Sequence, residues 1–147
     1  GKARSTARST QGSERPEALS GPVWTQLLAV AVGGAVGGAL RHLLSVAVAR
    51  IAGDAFPWGT LAVNISGAFV LGILISVLPQ LGPTDGYAWL LFGIGILGSY
   101  TTVSSLSLQS LQLTQARAYR SLAAYLLLSV FLGVGACLLG IFLAGLP

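Results

Sequence analysis

The fold of this chain is decided by residues 87–115, which read YAWLLFGIGILGSYTTVSSLSLQSLQLTQ. The beginning of this stretch is apolar, whereas twelve of the seventeen residues from Ser99 to Gln115 carry a polar group. Polar side chains at membrane depth face other protein groups or a water-filled path, because lipid offers them no hydrogen bond. The stretch therefore predicts a membrane-spanning helix whose second part lines something other than lipid.

The sequence Gly98-Ser99-Tyr100-Thr101-Thr102 stands where the stretch changes from apolar to polar. Irregular backbone inside a membrane persists only where protein or a polar cavity satisfies its N–H and C=O groups. Two half-helices that meet near mid-membrane are suited to hold ions, because freed carbonyls face cations and exposed amides face anions. We expect the third helix to be broken at residues 98–102.

The composition of the whole chain places most of it in lipid. Of 147 residues, 54% are apolar and 8% are charged, against about a quarter charged in soluble domains. A crossing takes roughly 20 apolar residues, and four segments qualify: about 23–49, 58–78, 87–113 and 121–146. We predict an all-α membrane protein, with four transmembrane helices in residues 23–147 and no large extramembrane catalytic domain.

Residues 1–22 form a leader rich in Ser, Thr, Gly and Pro, with almost nothing to bury. Such a segment is predicted to be disordered. It holds four of the eight basic residues, namely Lys2, Arg4, Arg8 and Arg15. Because the positive charge describes a tail and not a binding face, we expect no nucleic-acid partner.

The remaining basic residues give almost no preference for one orientation in the membrane. The leader, the 79–86 loop and the C-terminus share one side of a four-span chain and hold four basic residues. The other side holds Arg50, Arg117 and Arg120, with Arg41 close to it. The two sides therefore differ by one basic residue, or by none if Arg41 is counted. With so weak a positive-inside bias, the chain is able to insert either way up, and antiparallel dimers can be built from subunits that do.

The spans hold few groups that could do chemistry. Arg41 is their only formally charged residue, and Asp54 and Asp85 lie in loops. Proton-coupled exchange generally needs an intramembrane carboxylate, which disfavours a small dual-topology multidrug exporter. His42 is the only histidine and Cys137 the only cysteine, so neither a catalytic motif nor a cysteine-based metal site is present. We expect no enzymatic activity.

Neutral hydrogen-bonding residues are the remaining candidates for function. Asn64 lies in the middle of the second span, where an unpaired amide costs kilocalories, so it either joins helices or lines a pathway. Tyr125, Ser129, Gly133 and Cys137 recur every four residues on one face of the fourth span. The hydroxyls of Tyr125 and Ser129 either replace a hydration shell or bond a neighbouring helix. In the first span, the doubled pairs Gly33-Gly34 and Gly37-Gly38 predict close approach of another helix.

Three segments resemble, in order and spacing, the signature segments of the Fluc/CrcB family of fluoride channels: GGAVGGALRH at 33–42, WGTLAVNISGAFVLG at 58–72 and GILGSYTTVSS at 95–105. The resemblance extends from about Gly33 to Gly140. It implies a passive fluoride-selective channel, multi-pass in a bacterial cell membrane, that protects against fluoride toxicity by export. It also implies an antiparallel homodimer with two pores along the subunit interface and a structural sodium ion on the two-fold axis.

The resemblance assigns roles to single residues. Asn64 falls on the family's pore asparagine, and Arg41 falls on the arginine that ends its first helix, where it would raise the anion concentration near a vestibule. The carbonyl oxygens of Gly98 and Thr101 from both subunits would hold the sodium ion. The Thr102 hydroxyl would serve the pore.

Further pore positions include two departures from the family, of which the smaller is at Gly133, where a third hydroxyl of the fourth helix would fall and this chain has none. Tyr125 and Ser129 fall on the hydroxyl track of the fourth helix, and Ser105 is a further donor. Val103 and Leu106 stand where the family has two phenylalanines, whose positive ring edges line the anion path. This departure leaves open a structural partner subunit that pairs with a paralogue in a heteromeric channel. We favour the homodimer, because the balanced loop charges allow the chain to pair with itself.

Overall fold

The structure is a computed structural model that describes residues 22–78 and 85–145. Its elements are α1 (Val23–Ala52), α2 (Trp58–Val77), α3 (the consecutive helical segments Asp85–Ala88, Trp89–Leu97 and Gly98–Tyr100), α4 (Val103–Gln115) and α5 (Tyr119–Ala144). The leader that the sequence predicts to be disordered lies, except for Pro22, outside the described residues. The described part of the chain is all-helical, as predicted.

Four helical segments are long and apolar enough to cross a membrane: Val23–Ala52, Trp58–Val77, Gly86–Gln115 and Tyr119–Ala144. The structure therefore has four helices of this kind, as predicted, and their ends lie within a few residues of the segments chosen from the sequence. The first helix is longer than predicted because it continues to Gly53, where the backbone turns to a φ of 79°. Glycine adopts this left-handed conformation without steric cost, so the helix ends there.

The third span is broken between α3 and α4, as predicted. Thr101 and Thr102 have extended backbone, with φ/ψ of −72°/153° and −148°/119°. Before the break, Trp89–Leu97 is wound as a π-helix, a form that is rare and occurs often at functional sites. The break places a short run of non-helical backbone between two membrane-spanning half-helices.

Helix α1 packs against α3 through two buried glycines, Gly33 and Gly37. A Cβ atom at Gly33 would overlap the carbonyl oxygen of Leu91, and one at Gly37 would overlap that of Ile96. The close approach predicted from the glycine pairs is therefore confirmed on this face. The neighbouring Gly34 has open space where a Cβ would be.

Helices α2 and α5 also approach each other through glycine. A Cβ atom at Gly72 would overlap the carbonyl oxygen of Cys137, and one at Gly140 would overlap that of Phe69. Most large apolar side chains of α5 point outward and are exposed, as expected for a surface that faces lipid or another subunit. These glycine contacts bring α1 close to α3 and α5 close to α2. Helix α2 also lies next to the break, where Asn64 contacts Thr102.

Candidate functional site

The Asn64 side chain of α2 is hydrogen-bonded to the backbone at the break. Asn64 Nδ2 donates to the Thr102 carbonyl oxygen at 3.1 Å, and the Thr102 N–H donates to Asn64 Oδ1 at 2.9 Å. A second tie joins the hydroxyls of Ser66 and Tyr100 at 2.7 Å. The Asn64 side chain thus provides hydrogen-bond partners for the N–H and C=O groups of Thr102, as irregular backbone in a membrane requires.

Two carbonyls lose their helical partners at the break. In an uninterrupted α-helix, the Thr102 N–H would donate to the Gly98 carbonyl and the Ser105 N–H to the Thr101 carbonyl. Here the Thr102 N–H donates to Asn64 Oδ1, and the Ser105 N–H donates to Thr102 Oγ1 at 3.1 Å. The carbonyl oxygens of Gly98 and Thr101 are thereby released from the α-helical pattern.

Thr102 caps the N-terminus of α4. Its buried hydroxyl accepts from the Ser105 N–H and lies 3.0 Å from Ser104 Oγ and 3.2 Å from Ser105 Oγ. Such a cap contributes about 1 kcal/mol to the helix it begins. The cluster also lies at the positive end of the α4 dipole, which favours negative charge nearby.

A pocket of about 470 Å³ opens beside the break, between α2, α3 and α4. We call it the break pocket. Its lining includes six residues that the sequence analysis singled out: Asn64, Gly98, Thr101, Thr102, Val103 and Leu106. Val103 is 76% exposed, so aliphatic side chains form part of the wall and present no aromatic edge to the pocket.

A second pocket, of about 420 Å³, lies at the N-terminal end of α2. We call it the end pocket. Its lining includes Ser45, Phe56, Trp58, Thr60, Gln109 and Gln112. Thr60 lies one turn before Asn64 on α2, and Gln109 lies one turn after Ser105 on α4, so the two pockets follow each other along the same two helices.

The hydroxyl of Tyr125 lies between these two helices and α5. It donates to Gln109 Oε1 at 2.8 Å. The Tyr125 ring is fully buried and meets the Phe56 ring edge-on, with centroids 5.8 Å apart. One turn further, Ser129 Oγ donates to the Tyr125 carbonyl at 2.7 Å.

Neutral polar side chains therefore run from one pocket to the other. This polar strip consists of Thr60, Asn64, Thr102, Ser105, Gln109 and Tyr125. Gln109 was not among the residues predicted from the sequence; its four-residue spacing from Ser105 indicates a shared face of α4 but not the contact with Tyr125. Arg41 is half-buried on α1 and, in the described part of the chain, is not among the residues that line either pocket.

Fold and site together define a small multi-pass membrane protein, built around a broken helix and a strip of neutral hydrogen-bonding groups. The chain belongs to the CrcB-like family. The family model described as "CrcB-like protein, Camphor Resistance (CrcB)" matches residues 28–141, which include both pockets and the break. The family assignment confirms the resemblance found in the three signature segments.

Several bacterial relatives are similar to this chain over most of its length. A protein of Caulobacter vibrioides (strain NA1000 / CB15N) is 41% identical over 120 residues, which cover 81% of this chain and 94% of the relative. A protein of Phenylobacterium zucineum (strain HLK1) is 43% identical over 119 residues, with 80% and 94% covered. One of Chelativorans sp. (strain BNC1) is 41% identical over 118 residues, again with 80% and 94% covered. Each of the three is named "Fluoride-specific ion channel FluC".

Proposed function

We propose that this chain is a passive, fluoride-selective channel that exports fluoride across the bacterial cell membrane and so protects the cell from fluoride toxicity. The observation that carries the proposal is the polar strip between the two pockets, in a chain whose relatives are named for fluoride. The strip is uncharged and lies where a water-filled or ion-filled path is expected. No enzymatic activity is assigned.

Selectivity in this channel depends on dehydration. A small anion that leaves water needs hydrogen-bond donors in its place, and hydroxyl and carboxamide groups supply them at short range. Asn64, Thr102, Ser105, Tyr125 and Ser129 line the proposed path, and Thr60 and Gln109 extend it toward the end pocket. A hydroxyl has one proton, so Tyr125 and Ser129, which donate to Gln109 Oε1 and to the Tyr125 carbonyl, must turn away from these acceptors to donate to fluoride. Arg41 raises the local anion concentration near a vestibule without lining the path.

Transport is passive because the path lacks a proton carrier. The residues of the polar strip include no carboxylate. Asp54 lies between α1 and α2, and Asp85 is the first residue of α3. A multidrug exporter of similar size would need an intramembrane carboxylate, which disfavours that alternative.

The channel assembles as an antiparallel homodimer with two pores along its interface. The near-equal basic charge of the two sides allows both orientations in one membrane. Many large apolar side chains of α1, α4 and α5 are exposed, which leaves surface for a second copy as well as for lipid. Val103, at the rim of the break pocket, is one of them.

A structural sodium ion at the dimer axis is held by the Gly98 and Thr101 carbonyls of both subunits. Both residues line the break pocket, and both carbonyls are released from the α-helical pattern. Unwound backbone carbonyls are suitable ligands for Na⁺ in membrane proteins. Among the described residues, no group of three or more His, Cys, Asp or Glu side chains offers an alternative metal site, so neutral oxygen ligation fits this chain best.

One observation favours a second candidate function. Val103 and Leu106 line the break pocket and lack the positive ring edges that aromatic residues would present to an anion. A structural partner subunit, paired with a paralogue that carries phenylalanines there, would tolerate this loss. Fluoride conduction by this chain alone separates the two candidates.

The direct test is anion efflux from liposomes that contain only this protein. Fluoride release is followed with a fluoride electrode, and chloride release is followed in matched vesicles. We expect rapid release of fluoride and strong exclusion of chloride. Equal rates for both anions, or none for either, would contradict the homomeric fluoride channel, and recovery of flux with a co-expressed paralogue would support the partner-subunit alternative.

A further inference from the structure

We propose that Asn64 is the positioning residue of the sodium site, in addition to its place on the anion path. This inference rests on the proposed function, since it takes the sodium site from there. It assigns to one carboxamide the task of holding the two carbonyls that would bind the cation. Asn64 touches neither carbonyl itself and acts through the peptide group that carries one of them.

First, Asn64 orients the Thr101 carbonyl through the peptide group between Thr101 and Thr102. The Thr101 carbonyl and the Thr102 N–H belong to the same planar, trans peptide, so they point in opposite directions. Asn64 Oδ1 accepts from that N–H at 2.9 Å. The hydrogen bond fixes the peptide plane and directs the Thr101 carbonyl oxygen away from α2. It also polarises the peptide, which makes the oxygen a better acceptor of positive charge.

The second step concerns the other ligand. In continuous helix the Gly98 carbonyl would accept from the Thr102 N–H. That N–H is held by Asn64 instead, so the same hydrogen bond that orients the Thr101 carbonyl keeps the Gly98 carbonyl free. Without Asn64, the Thr102 N–H would be available to close an ordinary helical bond onto Gly98. One side chain thus controls both proposed ligands of each subunit.

The third step concerns the hydrogen atoms of the carboxamide. Nδ2 carries two of them, and one donates to the Thr102 carbonyl at 3.1 Å. The other is not needed for this clamp and remains for an anion in the break pocket, which Asn64 lines. Outer groups that orient metal ligands affect affinity by roughly 10–100-fold when they are changed. Cation site and anion path are therefore linked through Asn64.

Substitutions of Asn64 distinguish its role in the sodium site from its role on the anion path. Asn64→Ala removes the acceptor and the donor, so both sodium binding and fluoride flux should fall. Asn64→Asp keeps an oxygen that accepts from the Thr102 N–H, whether its carboxyl is charged or protonated, so sodium binding should persist. A negative charge on the anion path should still lower fluoride flux. Ser129→Ala is the matched control, because Ser129 belongs to the proposed anion path and its hydroxyl donates to the Tyr125 carbonyl of its own helix α5.

Sodium binding is measured without reference to transport. The purified, detergent-solubilised protein is placed in N-methylglucamine chloride, sodium chloride is titrated at constant ionic strength, and both ²²Na⁺ binding and the midpoint of thermal unfolding are recorded. We expect Asn64→Ala to need at least tenfold more sodium for half-saturation. Asn64→Asp should stay within threefold of wild type, and Ser129→Ala should equal wild type.

A sodium affinity of Asn64→Ala equal to that of wild type would overturn the proposal, as would an equal tenfold loss in Asn64→Asp. If Asn64→Ala yields no folded protein, the affinity of Asn64→Asp decides alone. Wild-type protein that binds sodium but passes no fluoride would remove the proposed function and leave this inference standing. Fluoride flux in a wild-type protein that binds no sodium would remove this inference alone.

Discussion

At the scale of single residues, Val103 and Leu106 decide how an anion is received in the break pocket. Both line it, and aliphatic side chains wall a path without offering a positive edge to the anion. The donors of the polar strip must therefore supply the attraction by themselves. This makes the two positions the most informative sites for a gain of function.

The double substitution Val103→Phe with Leu106→Phe is expected to raise fluoride flux in liposomes several-fold over wild type, because two ring edges per subunit are added to the path. Val103→Leu with Leu106→Met is the matched control, since it adds or keeps bulk without an aromatic edge, and it should leave flux near the wild-type rate. If wild type and the phenylalanine variant are equally silent, while a co-expressed paralogue restores flux, the chain is a partner subunit.

A second residue-scale prediction concerns the buried Tyr125 hydroxyl. Tyr125→Phe removes the donor to Gln109 Oε1 and leaves that oxygen without this partner, which costs about 1–3 kcal/mol of stability. A lost hydrogen bond to an anion is worth about 1.5–3 kcal/mol, or roughly tenfold or more in rate. We expect fluoride efflux to fall at least tenfold, with a lower unfolding midpoint.

Phe56→Leu is the control for Tyr125→Phe. It removes the aromatic contact with Tyr125 but no hydrogen bond, so it should lower stability while fluoride flux per folded dimer stays within about twofold. Unchanged flux in Tyr125→Phe would place the tyrosine hydroxyl in a purely structural role.

Sequence reasoning reached part of this site. It singled out Asn64 because an amide in hydrocarbon needs a partner, but it could not choose between helix contact and pathway. The partner, Thr102, is 38 residues away, and only the packing of α2 beside the break identifies it. Gln109 of α4 accepts a hydrogen bond from Tyr125 of α5, and the sequence around Gln109 does not predict this contact between helices.

At the scale of elements, the glycine contact between α1 and α3 holds the first half of the broken span. Gly37→Ala would place a methyl group on the Ile96 carbonyl oxygen, so backbone must move. Such overpacking costs about 1–3 kcal/mol. We expect a lower midpoint of thermal unfolding and less dimer by size-exclusion chromatography.

Gly34→Ala is the matched control, one turn away on the same helix. The space at Gly34 is open, and helix propensity changes equally in both variants, so this variant should match or exceed wild-type stability in the protomer. Equal destabilisation by both substitutions would mean that a second surface, such as another subunit, covers Gly34.

The elements themselves were largely predictable. Long apolar stretches indicated four spans, and the change to hydroxyl residues predicted a break within residues 98–102. In the structure Gly98–Tyr100 are still helical, and only Thr101 and Thr102 of that range have extended backbone. The π-helix of Trp89–Leu97 was not predicted, because i→i+4 and i→i+5 bonding use the same apolar residues. The first helix is longer than the predicted span, since it continues past residue 49 to Ala52.

At the scale of the whole molecule, the proposed function needs two copies in opposite orientations. Hydropathy predicts spans but not which helices pair, and the pairing of α1 with α3 and of α2 with α5 follows from glycine contacts that the structure reveals. Orientation depends on charges near the ends of the spans, which the sequence shows to be nearly balanced. Topology is therefore the property of the molecule that charge substitutions should control most directly.

Dual topology is tested in a Cys137→Ser background with one cysteine introduced at Gly82, in the 79–86 loop. We expect a membrane-impermeant maleimide to label this position from both sides of the membrane, in comparable amounts. The reason is that the two sides differ by at most one basic residue, too few to fix one orientation. Labelling from a single side would contradict the antiparallel dimer.

Charge substitutions test whether fluoride flux requires both orientations of the chain in one membrane. Asp54→Lys with Ala55→Lys adds basic charge between α1 and α2, whereas Gly82→Lys with Thr84→Lys adds it to the opposite side. Each pair should force one orientation, because short loops rich in lysine stay on the cytoplasmic side. Expressed alone, each variant should insert in one orientation and lose fluoride flux. Expressed together, the two variants supply both halves of an antiparallel dimer, and fluoride flux should recover. Full flux from either pair alone, with its orientation verified as single, would rule out the antiparallel arrangement.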